Sequence, residues 1–146
     1  MRYFKNSWRG FTLIELLVSV TIIAVLSAVG MVIFSGAGKS SRNAKRKADL
    51  ESIRQALVLY RADNACYPET LNMTTGDPLT SAGSSYISLP FPRDPQSPKQ
   101  EYQYDAGSAT SVTCAGGGLG KAGFTLSAQL ENKDGLTPTP YVLTNP

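Results

Sequence analysis

From Leu16 to Gly38 the chain runs 23 residues without a charged side chain, as LLVSVTIIAVLSAVGMVIFSGAG. Wound as a helix at about 1.5 Å per residue, this stretch reaches about 34 Å, enough to cross a bilayer core of about 30 Å. Leu, Ile, Val and Phe occupy 12 of the 19 positions from Leu16 to Phe34. At roughly −0.3 to −0.6 kcal/mol each, insertion gains about 4–7 kcal/mol before polar costs. The pattern predicts a membrane segment rather than the buried core helix of a soluble domain.

Beyond Ser35-Gly36-Ala37-Gly38, a weak stretch for a helix, the periodicity changes. Leu50, Ile53, Leu57 and Tyr60 recur at spacings of three and four with Ala56 beside them, and charged residues fill the other faces. That is the signature of an amphipathic helix covering one side of a small domain. Joined to the apolar segment it predicts one helix from about residue 12 to about residue 63, roughly 75–80 Å long. Gly30 and the Gly36/Gly38 pair are the expected soft spots. Cys66-Tyr67-Pro68 is expected to end the helix, because proline disfavours helical geometry in the residue before it.

Residues 69–100 read as loop, punctuated by Pro78, Pro90, Pro92, Pro95 and Pro98. Glu101 to Asp105 alternates and is rich in tyrosine, a strand signal. Phe124, Leu126, Ala128 and Leu130 alternate with Thr125, Ser127, Gln129 and Glu131, which predicts a half-buried strand. Gly116, Gly117, Gly118 and Gly120 read as a flexible connection before it, and Tyr141–Leu143 as a short final strand. The expected fold is α+β, a long N-terminal helix with a membrane-spanning and an amphipathic half, packed on a small C-terminal antiparallel sheet. Its parts are residues 1–10, 11–38, 39–65 and a loop-rich head over 66–146.

Composition removes most chemistry. The 146 residues contain no histidine and two cysteines. The commonest general base and metal ligand is therefore missing, and the cysteines alone cannot complete a zinc site. The glycine run at 116–120 lacks the Gly-Lys-Ser/Thr ending of a phosphate loop, since Ala122 follows Lys121. No enzyme, cofactor or metal is expected.

The net charge of +3 is unevenly spread. Arg2, Lys5 and Arg9 make the first ten residues basic, and Glu15 is the only charge from 11 to 38. Seven bases against three acids follow over 39–63, whereas 64–146 holds four bases against seven acids. A nucleic-acid-binding head needs a basic face, and this head leans acidic, so nucleic acid is an unsupported partner. The cluster Arg42-Asn43-Ala44-Lys45-Arg46-Lys47 has three readings: a solvated face partly paired with Asp49 and Glu51, a lipid-headgroup contact, or a nucleic-acid patch. The first is the expectation.

The start of the chain is more specific. Arg9-Gly10-Phe11-Thr12-Leu13-Ile14-Glu15 is a basic leader, a glycine, and an apolar helix with a carboxylate in its first turns. It is not an ordinary secretory signal, whose short apolar region precedes the small residues at the cut. It resembles the leader of type IV pilins and type II secretion pseudopilins. The resemblance implies that a membrane prepilin peptidase cuts between Gly10 and Phe11, leaving residues 11–146, and methylates the new amino terminus of Phe11. It also implies that Glu15 pairs with the Phe11 ammonium of a neighbouring subunit and so sets the axial register of a helical homo-oligomeric filament. Physics agrees on the roles: glycine lets the backbone enter a protease cleft, and a carboxylate within a membrane is costly unless paired. A carboxylate that merely reaches the headgroups is the structural alternative.

On this reading the precursor is a single-pass protein of the cytoplasmic membrane with its head outside, and the mature subunit resides in a surface or periplasmic filament. Membrane lipid holds it before assembly, and an assembly platform with a motor ATPase builds the fibre. The flanking charges alone would place the head inside, because Lys39 to Lys47 carries more bases than the leader. The family places the head outside. A minor tip subunit, or a membrane-anchored binding module, is the alternative function.

The head resembles major pseudopilins more loosely, through Tyr67-Pro68, Leu89-Pro90 followed by Asp94-Pro95, and Tyr102-Gln103-Tyr104. Those proteins add a tryptophan-glycine after the aspartate-proline and an acidic, glycine-rich calcium loop near the end. Here Gln96-Ser97 follows Pro95, and only Asp134-Gly135 corresponds to the acidic loop. Cys66 and Cys114 are expected to form a disulfide in an oxidising exterior, with two unrelated thiols as the alternative. Closing that loop of about 49 residues could stabilise the head by up to about 4 kcal/mol.

Overall fold

The computed structural model describes residues 10–74, 78–87, 89–107, 109–132 and 137–145. Residues 1–9 of the basic leader, Asp134 and Gly135 lie outside the described residues. Helix α1 covers Leu13–Asn64 and stays helical through Gly30, Gly36 and Gly38, where a soft spot was expected. Among the described residues seven strands follow: β1 Thr80–Ser81, β2 Ser84–Ser85, β3 Gln103–Asp105, β4 Ser111–Thr113, β5 Leu119–Lys121, β6 Thr125–Leu130 and β7 Thr139–Thr144. The chain divides into two compact units at Gly38/Lys39.

The first unit is the apolar part of α1. Its hydroxyl side chains turn back on their own helix: Ser19 donates to the Glu15 carbonyl at 2.7 Å and Thr21 to the Val18 carbonyl at 2.8 Å. Such local bonds satisfy polar side chains where water is absent.

In the second unit, the helical stripe Leu50, Ile53, Ala56 and Leu57 is buried against a three-stranded antiparallel sheet of order β3-β6-β7. On β6 the expected alternation is present, with Leu126 and Ala128 buried along with the preceding Phe124. The ring of Phe124 meets Tyr67 edge-on at 4.7 Å and stacks on Tyr104 at 6.0 Å. The final strand is longer than expected: six residues of β7 pair with β6, from Thr125↔Thr144 to Leu130↔Thr139. Pro140, which has no N–H to donate, is tolerated because β7 is an edge strand.

Two features of the head depart from the sequence reading. The glycine run is the turn of a hairpin, β4–β5, rather than a loose connection. Cys114 N–H donates to the Gly118 carbonyl, and Gly117 takes a φ of 83°, a conformation cheap only for glycine. The helix ends at Asn64, close to the expected residue 63, but it is stopped by a left-handed residue that precedes Cys66-Tyr67-Pro68. Ala65 adopts φ 60°, a left-handed helix stop. The Asn64 carbonyl then accepts the Ala115 N–H at 2.8 Å, and Tyr67 exchanges two backbone hydrogen bonds with Lys121. The hairpin thus caps the helix and captures the chain leaving it.

Candidate functional site

Gly10, Phe11 and Thr12 precede the helix in non-helical conformation, and Gly10 has open space around it. Thr12 is the N-cap. Its hydroxyl oxygen accepts the Glu15 N–H at 3.3 Å, and the hydroxyl lies 3.5 Å from Glu15 Oε2. This is an N-cap bond, which satisfies one of the four N–H groups that a helix start leaves without an intrahelical partner. It also keeps the carboxylate at the positive end of the helix dipole. The Thr-x-x-Glu spacing in the sequence is itself a signal for this cap. Among the described residues, no cation lies within ion-pair distance of Glu15.

Behind the cap, the large apolar side chains from Phe11 to Phe34 are 46% to 90% exposed. Leu16, Leu17, Val18 and Val20 already point to several sides of the helix, so the segment is apolar around its circumference rather than along one stripe. A helix of that kind is stable only when something else covers it.

The basic cluster is a solvated face only in part, at Lys45 and Lys47. Arg46 lies one turn before Leu50 on the buried stripe and is fully buried. Its Nε donates to Asp94 Oδ2 at 2.7 Å, and its terminal nitrogens donate to Asp94 Oδ1 at 3.1 Å and Glu131 Oε1 at 2.8 Å. Arg42 grips the same Glu131 through two hydrogen bonds of 2.7 and 2.6 Å. The expected helix-spaced pairing is replaced: Asp49 accepts a hydrogen bond from the Tyr102 hydroxyl, and Glu51 pairs with Arg54. Lys45 and Lys47 stay exposed, Lys47 above the Tyr141 ring at 5.3 Å.

Electrostatics follow from these contacts. The Arg42 hydrogen bonds, reinforced by Arg46, hold the Glu131 carboxyl down at about 2, although partial burial opposes this. Burial works against the Arg46 charge, but its hydrogen bonds to Asp94 and Glu131 outweigh it and raise its pKa. Burial, then the bond to Asp49, pushes the Tyr102 hydroxyl far up.

At the other end of the head, Cys66 and Cys114 are joined in a disulfide with Cα atoms 5.2 Å apart. Gly120 packs on it so tightly that a Cβ there would lie 2.7 Å from both sulfurs and 2.6 Å from the Tyr67 carbonyl oxygen. Spacing alone gave no sign of this demand on Gly120.

Residues 9–31 match the prokaryotic N-terminal methylation motif, and residues 33–130 match the family described as type II secretion system protein G. Curated relatives share that description. The type II secretion system core protein G of Escherichia coli is 36% identical over 62 residues, covering 42% of this chain and 43% of that protein. Its counterpart in Pectobacterium carotovorum is 36% identical over 42% of this chain and 40% of that protein. In Vibrio cholerae the match is 29% identical over 65% of this chain and 68% of that protein. Against the first two, the match spans less than half of the relative's length. No solved structure matches the chain.

Proposed function

We propose that this chain, which belongs to the type II secretion system protein G family, is a structural subunit of a helical secretion filament. It is made as a membrane-inserted precursor whose head lies outside the cytoplasmic membrane. The peptidase of the pathway cuts between Gly10 and Phe11, and the Phe11 amine is methylated. An assembly platform and motor ATPase then draw residues 11–146 into the fibre. The subunit works by packing, not by catalysis.

The observation that carries this reading is the uncovered apolar helix that begins at a capped carboxylate. A bilayer can cover that surface, and so can a bundle of identical helices, so transfer from lipid to fibre leaves apolar burial nearly unchanged. The bundle adds a partner for the one charge. Among the described residues of the single chain, the Glu15 carboxylate has the Thr12 hydroxyl beside it. In the fibre, a neighbour's Phe11 ammonium neutralises it, which fixes the stagger between subunits. Division into a cleaved leader, a filament-core helix and a self-contained head follows from the same picture.

The test compares Glu15→Gln and Glu15→Ala with wild type in cells that make no wild-type subunit. Both variants are expected to be inserted and cleaved, since removing the carboxylate eases insertion. Both are expected to be missing from sheared fibres, because leaving one charge of a buried pair unmatched costs about 3–5 kcal/mol. Wild-type fibre yield from both variants would defeat the charge-pairing mechanism.

A further inference from the structure

Major pseudopilins, which the head resembles, carry a calcium loop near the C-terminus, and the described residues at the start of the corresponding connection do not fit a calcium ion. Calcium takes about six to eight oxygen ligands, with carboxylates supplying much of the charge. From residue 129 to the end the sequence has two acids, Glu131 and Asp134, and Lys133 stands between them.

The oxygens at the start of this connection are already committed to the helix. Both carboxylate oxygens of Glu131 accept hydrogen bonds from Arg42, and Arg46 shares one of them. The Glu131 carbonyl accepts Asn43 Nδ2 at 2.7 Å, and the Asn132 carbonyl accepts Lys39 Nζ at 3.3 Å. Asn43 Oδ1 in turn accepts the Glu131 N–H at 2.9 Å. A divalent cation here would have to displace guanidinium groups and sit among Lys39, Arg42 and Arg46, all of its own sign. The second carboxylate of the cluster, Asp94, is equally committed: Arg46 takes both of its oxygens, and the Gln96 N–H donates to Oδ1 at 2.8 Å.

We propose that internal guanidinium groups do in this head what a bound divalent cation would do, and that the head folds and holds its shape without calcium. Arg46 ties the Asp94 loop to the end of β6, and Arg42, Asn43 and Lys39 tie the start of the β6–β7 connection to α1. Planar guanidinium groups suit this task, because each meets carboxylates through paired hydrogen bonds at fixed geometry. The brace is covalently part of the chain, so its strength does not depend on the cation content outside the cell.

The experiment is thermal unfolding of the full chain in detergent, followed by near-ultraviolet circular dichroism, in millimolar EGTA and in millimolar calcium chloride. The expected result is the same midpoint in both, within about 1 °C. A cation bound at 100 times its dissociation constant would raise the midpoint well beyond about 5 °C, and such a rise would overturn the proposal. Arg42→Gln sharpens the test, since Arg46 still pairs with Asp94 and the head should remain folded. Its midpoint should fall by several degrees in both buffers; no fall would mean that the brace carries no weight. Fibre yield in EGTA is a second readout, and it rests on the filament reading. Failure to form fibres in either buffer would count against that reading, whereas fibres that need calcium would count against this one.

Discussion

The two units handle charge and apolar surface in opposite ways. From Phe11 to Phe34, large side chains are uncovered, and among the described residues the single charge, Glu15, has a hydroxyl and the helix dipole beside it and no cation. From Lys39 onward, Leu50, Ile53, Leu57 and Leu126 are closed off from solvent, and a completely buried arginine meets two carboxylates of its own chain. The head completes its own structure. The apolar helix leaves its burial, and on the filament reading its charge balance, to lipid or to other copies. Changes in the head should therefore register in its unfolding, and changes at the helix start in assembly.

The sharpest way to break this contrast is Arg46→Ala. It leaves Asp94 buried without its cation and takes one partner from Glu131, which should destabilise the head by about 3–5 kcal/mol. Thermal melts of the purified chain would measure this, while membrane insertion should be unchanged. If the melt is unaffected, the head does not depend on its internal ion pairs, and the contrast fails.

Next in size is the disulfide, which closes a separation of 48 residues. The Cys66→Ser/Cys114→Ser double variant should lose about 2–4 kcal/mol in denaturant melts. The loss should appear as undocking of the β4–β5 hairpin from the helix end, seen as faster amide exchange at Ala115 and Tyr67. Gly120→Ala probes the same joint more gently, since its methyl group would overlap both sulfurs and the Tyr67 carbonyl. About 1–3 kcal/mol is expected from such overpacking, and a wild-type melt would show that the joint can open without cost.

The smallest effect is in mild acid. Glu131 titrates near 2 in the folded head, against an ordinary value of 4.5. Between those values the unfolded chain binds the extra proton. The stability that Glu131 contributes is therefore fully present above about pH 4.5 and is lost as pH falls through about 2. Melts at pH 7 and pH 5 should agree as far as this group is concerned, with the decline setting in below. In Glu131→Gln that part of the acid-induced decline should be missing.

The sequence by itself determined what depends on neighbours along the chain. An uninterrupted apolar run, the 50/53/57 stripe and the alternation from Phe124 to Ala128 each specify a face or a span, because helix and strand geometry repeat every few residues. The same was true of the leader motif, and Cys66 and Cys114 stood out as an isolated pair. Tertiary structure decided which distant groups meet. Arg46 looked like one more base in a surface cluster, and only the approach of Asp94, 48 residues on, and Glu131, 85 residues on, made it a core residue. The glycine run looked loose because nothing local to it shows that Tyr67 and the disulfide lie against Gly120. Periodicity records which side of an element is covered, but the identity of the covering group is fixed only when the whole head closes.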